Sequence, residues 1–290
     1  MTKLDQFAAS RPRLLGLAYR MLGEATEAED VVQDAYLRWR DSVEVDVPEA
    51  WLTKVVTNLC LNRLTSARAR RERYVGTWLP EPVLTDGGAL GPLETVEQRE
   101  SLALGMLLLL ERLTPPERAA FVLREAFGYG HREIAEILDV EEAHARQHYR
   151  RAREHVGDPR RRFTASPEEA TKILERFVAA ASEGDIAGLE RLLAEDVVSW
   201  ADGGGRAPAA SRPVTGHTRV ARFFGGLAAR FLRDGVELVI GMVNGGPAMI
   251  VRQHGTLIAL TVPEFDGARV TALRTITNPD KLALLAARLV

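Results

Sequence analysis

"LTPPERAAFVLREAFGYGHREIAEIL" (113–138), followed after a short turn by "ARQHYRRAR" (145–153), decides how this chain reads. Thr114 can cap a helix, Pro115 suits the first helical position, and Glu117 completes a capping box. That helix carries Phe121, Val122 and Leu123 and ends near Gly128-Tyr129-Gly130. A short helix with Ile134, Ala135, Ile137 and Leu138 follows, then a turn at Asp139-Val140. The next helix sets Ala145, Tyr149, Ala152 and Val156 on one face and Arg146, Arg150 and Arg153 on the other. A short helix, a tight turn and an arginine-faced helix are the parts of a helix-turn-helix, whose second helix enters the major groove. Arginines there grip phosphates or pair bidentately with guanine. Glu141 starts that helix, where Ser or Asp would cap better.

Toward the N-terminus, Leu102 to Leu113 reads as a helix apolar nearly all round, hence buried. Residues 74–95 hold Pro80, Pro82, Gly87, Gly88, Gly91 and Pro92 and read as a linker. Before them come three helices. Phe7, Leu14, Leu17, Ala18 and Met21 face inward from the first. Val31, Ala35 and Trp39 do so from the second. In the third, Asp46 is a cap candidate ahead of Pro48, and Trp51, Leu52, Val55, Val56, Leu59 and Cys60 make the apolar face. That helix runs out into Arg68, Arg70, Arg71 and Arg73.

Toward the C-terminus, residues 158–167 are a second boundary. Ser166-Pro167-Glu168-Glu169 is another capping box. The remainder reads as α+β. Helices carry Ile173 to Ala181, Ile186 to Leu193 and Val220 to Phe231. A glycine-rich loop spans Asp202 to Arg206. Strands are expected at 236–243, 248–254, 256–263 and 269–277, with turns at Asn244-Gly245-Gly246 and Asp266-Gly267.

The 290 residues suggest two domains, or three small ones. Net charge is −2, but the sign is segregated. Residues 24–37 hold Glu24, Glu27, Glu29, Asp30 and Asp34 and no base, whereas 146–162 hold seven arginines. Of 38 basic residues, 34 are arginine. Cys60 is the single cysteine, which excludes an internal disulfide and thiol metal sites and fits a cytoplasmic protein. No apolar run approaches the roughly 20 residues of a membrane helix, and no secretion signal is visible. No cofactor and no metal are expected.

The strings "AEDVVQDAYLRW" (28–39), "AWLTKVVTNLCLNRL" (50–64) and the helix-turn-helix above resemble regions 2 and 4 of a bacterial sigma factor of the extracytoplasmic-function type. Residues 170–277 resemble the SnoaL-like branch of the nuclear-transport-factor-like cone. "WLPEP" (78–82), the loop 202–206 and "NPDKL" (278–282) match, in order, motifs of the subgroup that carries such a domain fused. The resemblance implies a multidomain fold: two all-α sigma domains plus a C-terminal α+β cone. Region 2 would occupy 1–73, a linker 74–95, region 4 96–157, a second linker 158–167, the cone 168–277 and a tail 278–290.

It also implies roles. Asp30, Gln33, Asp34, Leu37 and Arg38 would dock on core RNA polymerase. Asn58, Asn62, Arg63, Arg68, Arg70 and Arg71 would meet the −10 promoter element. Arg146, Gln147, Arg150, Arg151 and Arg153 would read the −35 element. Trp78, Leu79, Pro80, Asp202, Gly203, Gly204, Gly205, Arg206, Asn278, Pro279, Asp280, Lys281 and Leu282 would form a regulatory contact. The tail, with Leu282, Leu284, Leu285 and Leu289, would dock on the sigma part. The expected partners are core polymerase, promoter DNA and an unidentified small ligand or signal at the C-terminal domain, with no membrane and no separate anti-sigma factor.

Asp202, His217, His254 and Glu264 are acid–base candidates by type. No spacing pairs them, so regulation is favoured over catalysis. The other readings are a one-component helix-turn-helix regulator sensing a small molecule, and an enzyme with a DNA-binding appendage.

Overall fold

A computed structural model describes residues 2–43, 45–85, 90, 96–157, 166–231 and 235–289, without the side chains of 67–70, 96, 97 and 231. The chain forms two compact units. One comprises Met1–Arg73 and Thr85–Gly157, the other Tyr74–Leu84 and Asp158–Val290.

The first unit is helical: α1 (Lys3–Leu22), α2 (Ala25–Asp41), α3 (Pro48–Glu72), α4 (Val96–Glu100), α5 (Leu104–Leu110), α6 (Pro115–Glu125), α7 (His131–Leu138) and α8 (Glu142–Val156). The apolar stripes face one another as their spacing requires. Leu14, Leu17, Ala18 and Met21 of α1 lie buried with Val31, Ala35 and Trp39 of α2 and Leu52, Val56 and Cys60 of α3. The Trp39 indole keeps its N–H satisfied by donating to the Lys3 carbonyl at 2.9 Å. Helix α3 begins at Pro48, so Val47 takes the cap position and Asp46 lies one residue outside it. The apolar segment at 102–113 is buried but makes a shorter helix, Leu104–Leu110, preceded by a turn at 101–103.

The two halves of this unit are packed together. α6 lies against α1 and α3, and α7 lies against α3. A polar seam runs between them. Arg118 of α6 is 3% exposed and donates to the carbonyls of Leu110 (2.8 Å) and Met21 (2.6 Å). It also pairs with Glu111 at 2.6 Å. Arg20 of α1 donates to Ser101 Oγ at 2.7 Å and to the Gln98 carbonyl at 3.0 Å. Burial pulls the Arg118 guanidinium down to about 9 and that of Arg20 to about 10, so both stay charged at neutral pH.

The second unit contains α9 (Pro167–Glu183), α10 (Ile186–Leu192), β1 (Leu193–Asp202), β2 (Val214–Thr215), α11 (His217–Phe231), β3 (Val236–Val243), β4 (Gly246–Gln253), β5 (Thr256–Asp266), β6 (Arg269–Ile276) and α12 (Pro279–Arg288). The strands form one sheet, ordered β2-β1-β6-β5-β4-β3. Among the described residues only β1 and β6 run parallel. Such a pair needs a long crossover, which the rest of the unit supplies. Helices α9, α10 and α11 share one core with the sheet, built on Leu174, Phe177, Leu189, Val197, Val220 and Leu273.

Two tight turns shape β3–β4–β5. Asn244 (φ 52°) and Gly245 (φ 81°) form the first; His254 (φ 50°) and Gly255 (φ 77°) form the second. Two positive φ values match the right-handed twist of a hairpin. The four expected strands are present with ends shifted by up to three residues, while β1, which carries Asp202 at its end, and the two-residue β2 are additional. The tail is helical as expected, but it packs on β5 of its own unit, with Leu282 and Leu285 buried.

Candidate functional site

The helix-turn-helix is built from local signals. Thr114 and Glu117 close their capping box at the start of α6. The Gly130 N–H donates to Glu133 at 2.7 Å to start α7, and Asp139 ends it with φ 57°. Ala145, Ala152 and Val156 of α8 are buried against the unit. Arg146, Gln147, Arg150, Arg151 and Arg153 are all exposed. Glu141 makes no side-chain cap bond, as its type suggested. Arg146 pairs with Glu142 at 2.5 Å, Arg150 with Glu154 at 3.8 Å and Arg153 with Glu125 at 3.8 Å. Exposed pairs of this kind are weak and yield readily to a phosphate. His148, on the same helix, is held below its ordinary 6.5 first by burial and then by Arg151 and His144, against Glu117.

Helix α3 divides its candidates. Asn62 is exposed and Asn58 half-buried. Arg63 turns instead toward α2, where Asp34 accepts at 2.8 Å and Glu27 at 3.2 Å. Arg71 is 12% exposed and lies in the seam, paired with Glu24 at 3.1 Å and with Glu111. It also donates to the Leu22 carbonyl. The Arg68 and Arg70 side chains lie outside the described residues. On α2, Asp30, Gln33, Leu37 and Arg38 are exposed and Asp34 is half-exposed, so this face is open as a surface.

The regulatory set is drawn together inside the second unit. The Asp202 side chain is fully buried. It accepts from the Tyr74 hydroxyl at 2.6 Å, the Leu79 N–H at 2.8 Å and the Lys281 ammonium at 2.7 Å. Lys281 also donates to the Leu79 carbonyl and lies 4.6 Å and 4.7 Å from the ring centres of Tyr74 and Trp78. Asn278 donates to Tyr74 at 2.8 Å while its carbonyl oxygen caps α12 through the Asp280 N–H. Arg206 pairs with Asp280 at 3.0 Å on the surface. Pro279 opens α12, Leu282 is buried, and Leu79 and Pro80 are buried in the linker. Burial, followed by the hydrogen bond to Asp202, pushes the Tyr74 phenol up, so it stays a donor.

Glycines make room for this hub. A Cβ at Gly204 (φ 58°) would sit 2.2 Å from the Asn278 amide and 2.8 Å from the Tyr74 hydroxyl. One at Gly203 would sit 2.3 Å from the Ala207 carbonyl. Gly205 adopts φ 69°.

The four acid–base candidates have separate settings. Asp202 belongs to the hub. Glu264 pairs with Arg274, which stacks 5.0 Å from the Trp200 ring centre. His254 occupies a hairpin turn, and His217 opens α11. Among the described residues no group of three or more His, Cys, Asp or Glu could hold a metal. Among the described residues no helix is long and apolar enough to cross a membrane. Burial pushes the Cys60 thiol up, leaving it inert.

Sequence reasoning missed Tyr74, Asn244 and the seam. Asn244 is read as a turn residue, but it also exchanges hydrogen bonds with Val83 at 3.0 and 3.2 Å, fixing the linker to the end of β3. Asn is as common in turns as Gly, so nothing local marks that second task.

Comparison with known proteins matches these segments in order. Residues 7–70 match "Sigma-70 region 2", residues 104–156 "Sigma-70, region 4", and residues 174–281 "SnoaL-like domain". The ECF RNA polymerase sigma factor SigJ of Mycobacterium tuberculosis is 40% identical, over 96% of this chain and 93% of that protein. Probable ECF sigma factor SigI of the same organism is 30% identical, over 97% and 95%. The crystal structure of M. tuberculosis SigJ superposes with a TM-score of 0.77, at 37% identity, covering 97% of this chain and 98% of that one.

Proposed function

The chain belongs to the extracytoplasmic-function RNA polymerase sigma factors, and we propose that its C-terminal unit regulates its own promoter-reading helices by gripping the linker between them. As a sigma factor it recognises promoters and initiates transcription. In this reading the open face of α2 docks on core RNA polymerase. Asn58 and Asn62 contact the −10 element, and the α8 arginines contact the −35 element. The exposure of Asn62 and of the α8 arginines supports their assignment, since base and phosphate contacts need accessible donors. The acidic run on α2 suits a basic protein partner and repels DNA. This face has no use in a regulator that binds DNA without polymerase.

One observation carries the regulatory part: Asp202 holds the Leu79 N–H and Lys281 holds the Leu79 carbonyl. The linker segment 74–84, between the two promoter-reading halves in sequence, is thereby built into the α+β unit. A signal that loosens this hub frees the linker. Such control takes the place of a separate anti-sigma factor, and the cone acts here as a regulatory domain without a reaction of its own. The separate settings of Asp202, His217, His254 and Glu264 favour that view over acid–base chemistry, which needs its groups within hydrogen-bond reach of one substrate.

The test is run-off transcription with purified bacterial core polymerase on the gene's own upstream region. Full-length protein is compared with Asp202→Ala/Lys281→Ala and with a chain ending at 277. Specific transcripts absent with core alone are expected, with more transcript from the double variant at limiting core. Equal output from all three forms would sink the regulatory reading.

A further inference from the structure

On α2, Glu27, Asp30 and Asp34 are spaced i, i+3 and i+7, so one stripe carries three carboxylates. One guanidinium lies under that stripe. Arg63 Nη1 donates to the Glu27 carbonyl at 3.1 Å and to its carboxylate at 3.2 Å, and Nη2 donates to Asp34 at 2.8 Å. Asp30 stands 3.9 Å from Nη1. The Arg63 side chain is 25% exposed, while Asp34 and Asp30 remain 46% and 62% exposed.

This arrangement is poor for reading DNA. A phosphate reaching Arg63 would meet three carboxylates at close range. The arrangement is good for presenting the carboxylates. Three like charges on adjacent turns repel one another and favour divergent rotamers. A planar fork in their midst offsets the repulsion and holds one oxygen of Asp34 and one of Glu27, while both side chains stay partly exposed. Preorganised acceptors bind a cationic surface without the loss of rotamer freedom that mobile ones incur.

We propose that Arg63 is a positioning residue of the polymerase-docking face rather than a contact to the promoter. The proposal rests on the reading of α2 as that face. Arg63 orders Glu27, Asp30 and Asp34 for basic side chains of the polymerase, and Asn58 and Asn62 are left to meet the −10 element.

The experiment separates core binding from promoter work. Affinity for bacterial core polymerase is measured for the full chain and for Arg63→Met, Arg63→Lys, Asp34→Asn and Arg63→Met/Asp34→Asn. Transcript yield is then measured at saturating core. Arg63→Met is expected to weaken core binding about tenfold, the effect of one partly desolvated interfacial charge. Arg63→Lys should recover part of that loss. The double variant should fall short of the sum of the singles, because the two residues act through one contact. Yield per saturated holoenzyme should hold within about twofold. Core affinity unchanged in Arg63→Met but weakened in Asp34→Asn overturns the proposal and keeps the docking face. Core affinity unchanged in both overturns the docking reading as well. Normal core affinity with lost transcript at saturation returns Arg63 to the promoter.

Discussion

Asp202 and Lys281, 79 positions apart, meet at 2.7 Å as a buried ion pair, with side chains 0% and 8% exposed. The surrounding donors and acceptors explain why such a pair is tolerated. Asp202 accepts two further hydrogen bonds and Lys281 donates one more, so neither charge is left without partners.

Removing one partner should therefore be worse than removing both. Lys281→Ala leaves a buried carboxylate facing Leu79 and Tyr74, and should destabilise the second unit by about 3–5 kcal/mol. The Asp202→Ala/Lys281→Ala pair should lose clearly less than the sum of the two single changes. Urea titration of the full chain, followed by the exchange protection of β1 and α12, reads the difference. A strictly additive result would mean that the pair is not coupled.

The hub can also be tested without touching a charge. Tyr74→Phe removes one hydroxyl that donates to Asp202 and accepts from Asn278. A loss of about 1 kcal/mol is expected. Gly204→Ala should do more, about 1–3 kcal/mol, because it meets both a positive φ and a Cβ clash with the Asn278 amide. Thermal melts of the two variants check that order.

What was legible in the sequence was local. Thr114-Pro115-Pro116-Glu117 and Ser166-Pro167-Glu168-Glu169 each name a helix start through chemistry that spans four residues, and both boxes form. The strand at 236–243 and its Asn244-Gly245 turn follow from side-chain alternation and φ preference. The motif strings 78–82, 202–206 and 278–282 stand far apart in the sequence, and the fold joins them through Leu79, Asp202 and Lys281. What escaped was partner choice over distance. For Arg63 and Arg71 the resemblance implies promoter contacts, and nothing next to them in sequence marks the carboxylates they meet in the fold. Their partners Asp34 and Glu111 lie 29 and 40 positions away on other elements. Arg118 carries no local sign that its charge will be buried.

Acid should weaken the helical unit. Burial, then Arg151 and His144, hold His148 below its ordinary 6.5. His131 is lowered as well, first by burial and then by Arg124 and Arg146. The unfolded chain thus takes up protons at a pH where the folded chain does not, so stability is full above 6.5 and is lost as pH falls below it. The melting temperature followed by α-helical circular dichroism should drop between pH 7.5 and 5.5. His148→Gln should shrink the drop, and His131→Gln/His148→Gln should shrink it further. An unchanged pH profile in the double variant would remove these histidines as the cause.

The α8 arginines make a prediction about salt. If Arg150 contacts one phosphate, Arg150→Ala should weaken promoter binding by the holoenzyme and flatten the slope of log affinity against log salt by about 0.9. The loss should be similar on promoters of different sequence. A loss confined to one base of the −35 element would instead mark Arg150 as a base reader, worth about 1–3 kcal/mol at that position.

At one point of the seam in the helical unit two guanidiniums meet two carboxylates. Arg71 and Arg118 converge on Glu111, and Arg71 also reaches Glu24. Arg71 lies at the end of α3, while Glu111 immediately follows α5, so this one carboxylate ties the first three helices to the later ones. Glu111→Gln keeps the shape but removes the charge that Arg118 needs, and an unpaired buried cation costs about 3–5 kcal/mol. The packed arrangement carries that cost, whereas a splayed arrangement lets water reach both arginines. The variant should therefore open the unit along the seam. Hydrogen exchange of the full chain should show faster exchange in α5 and α6 while the buried amides of α1 next to α2 keep their protection. Transcription at limiting core should rise if the packed form is the resting one. Uniform loss of protection from α1 to α8 would mean that Glu111 supports folding as a whole and that the seam is not where the unit opens.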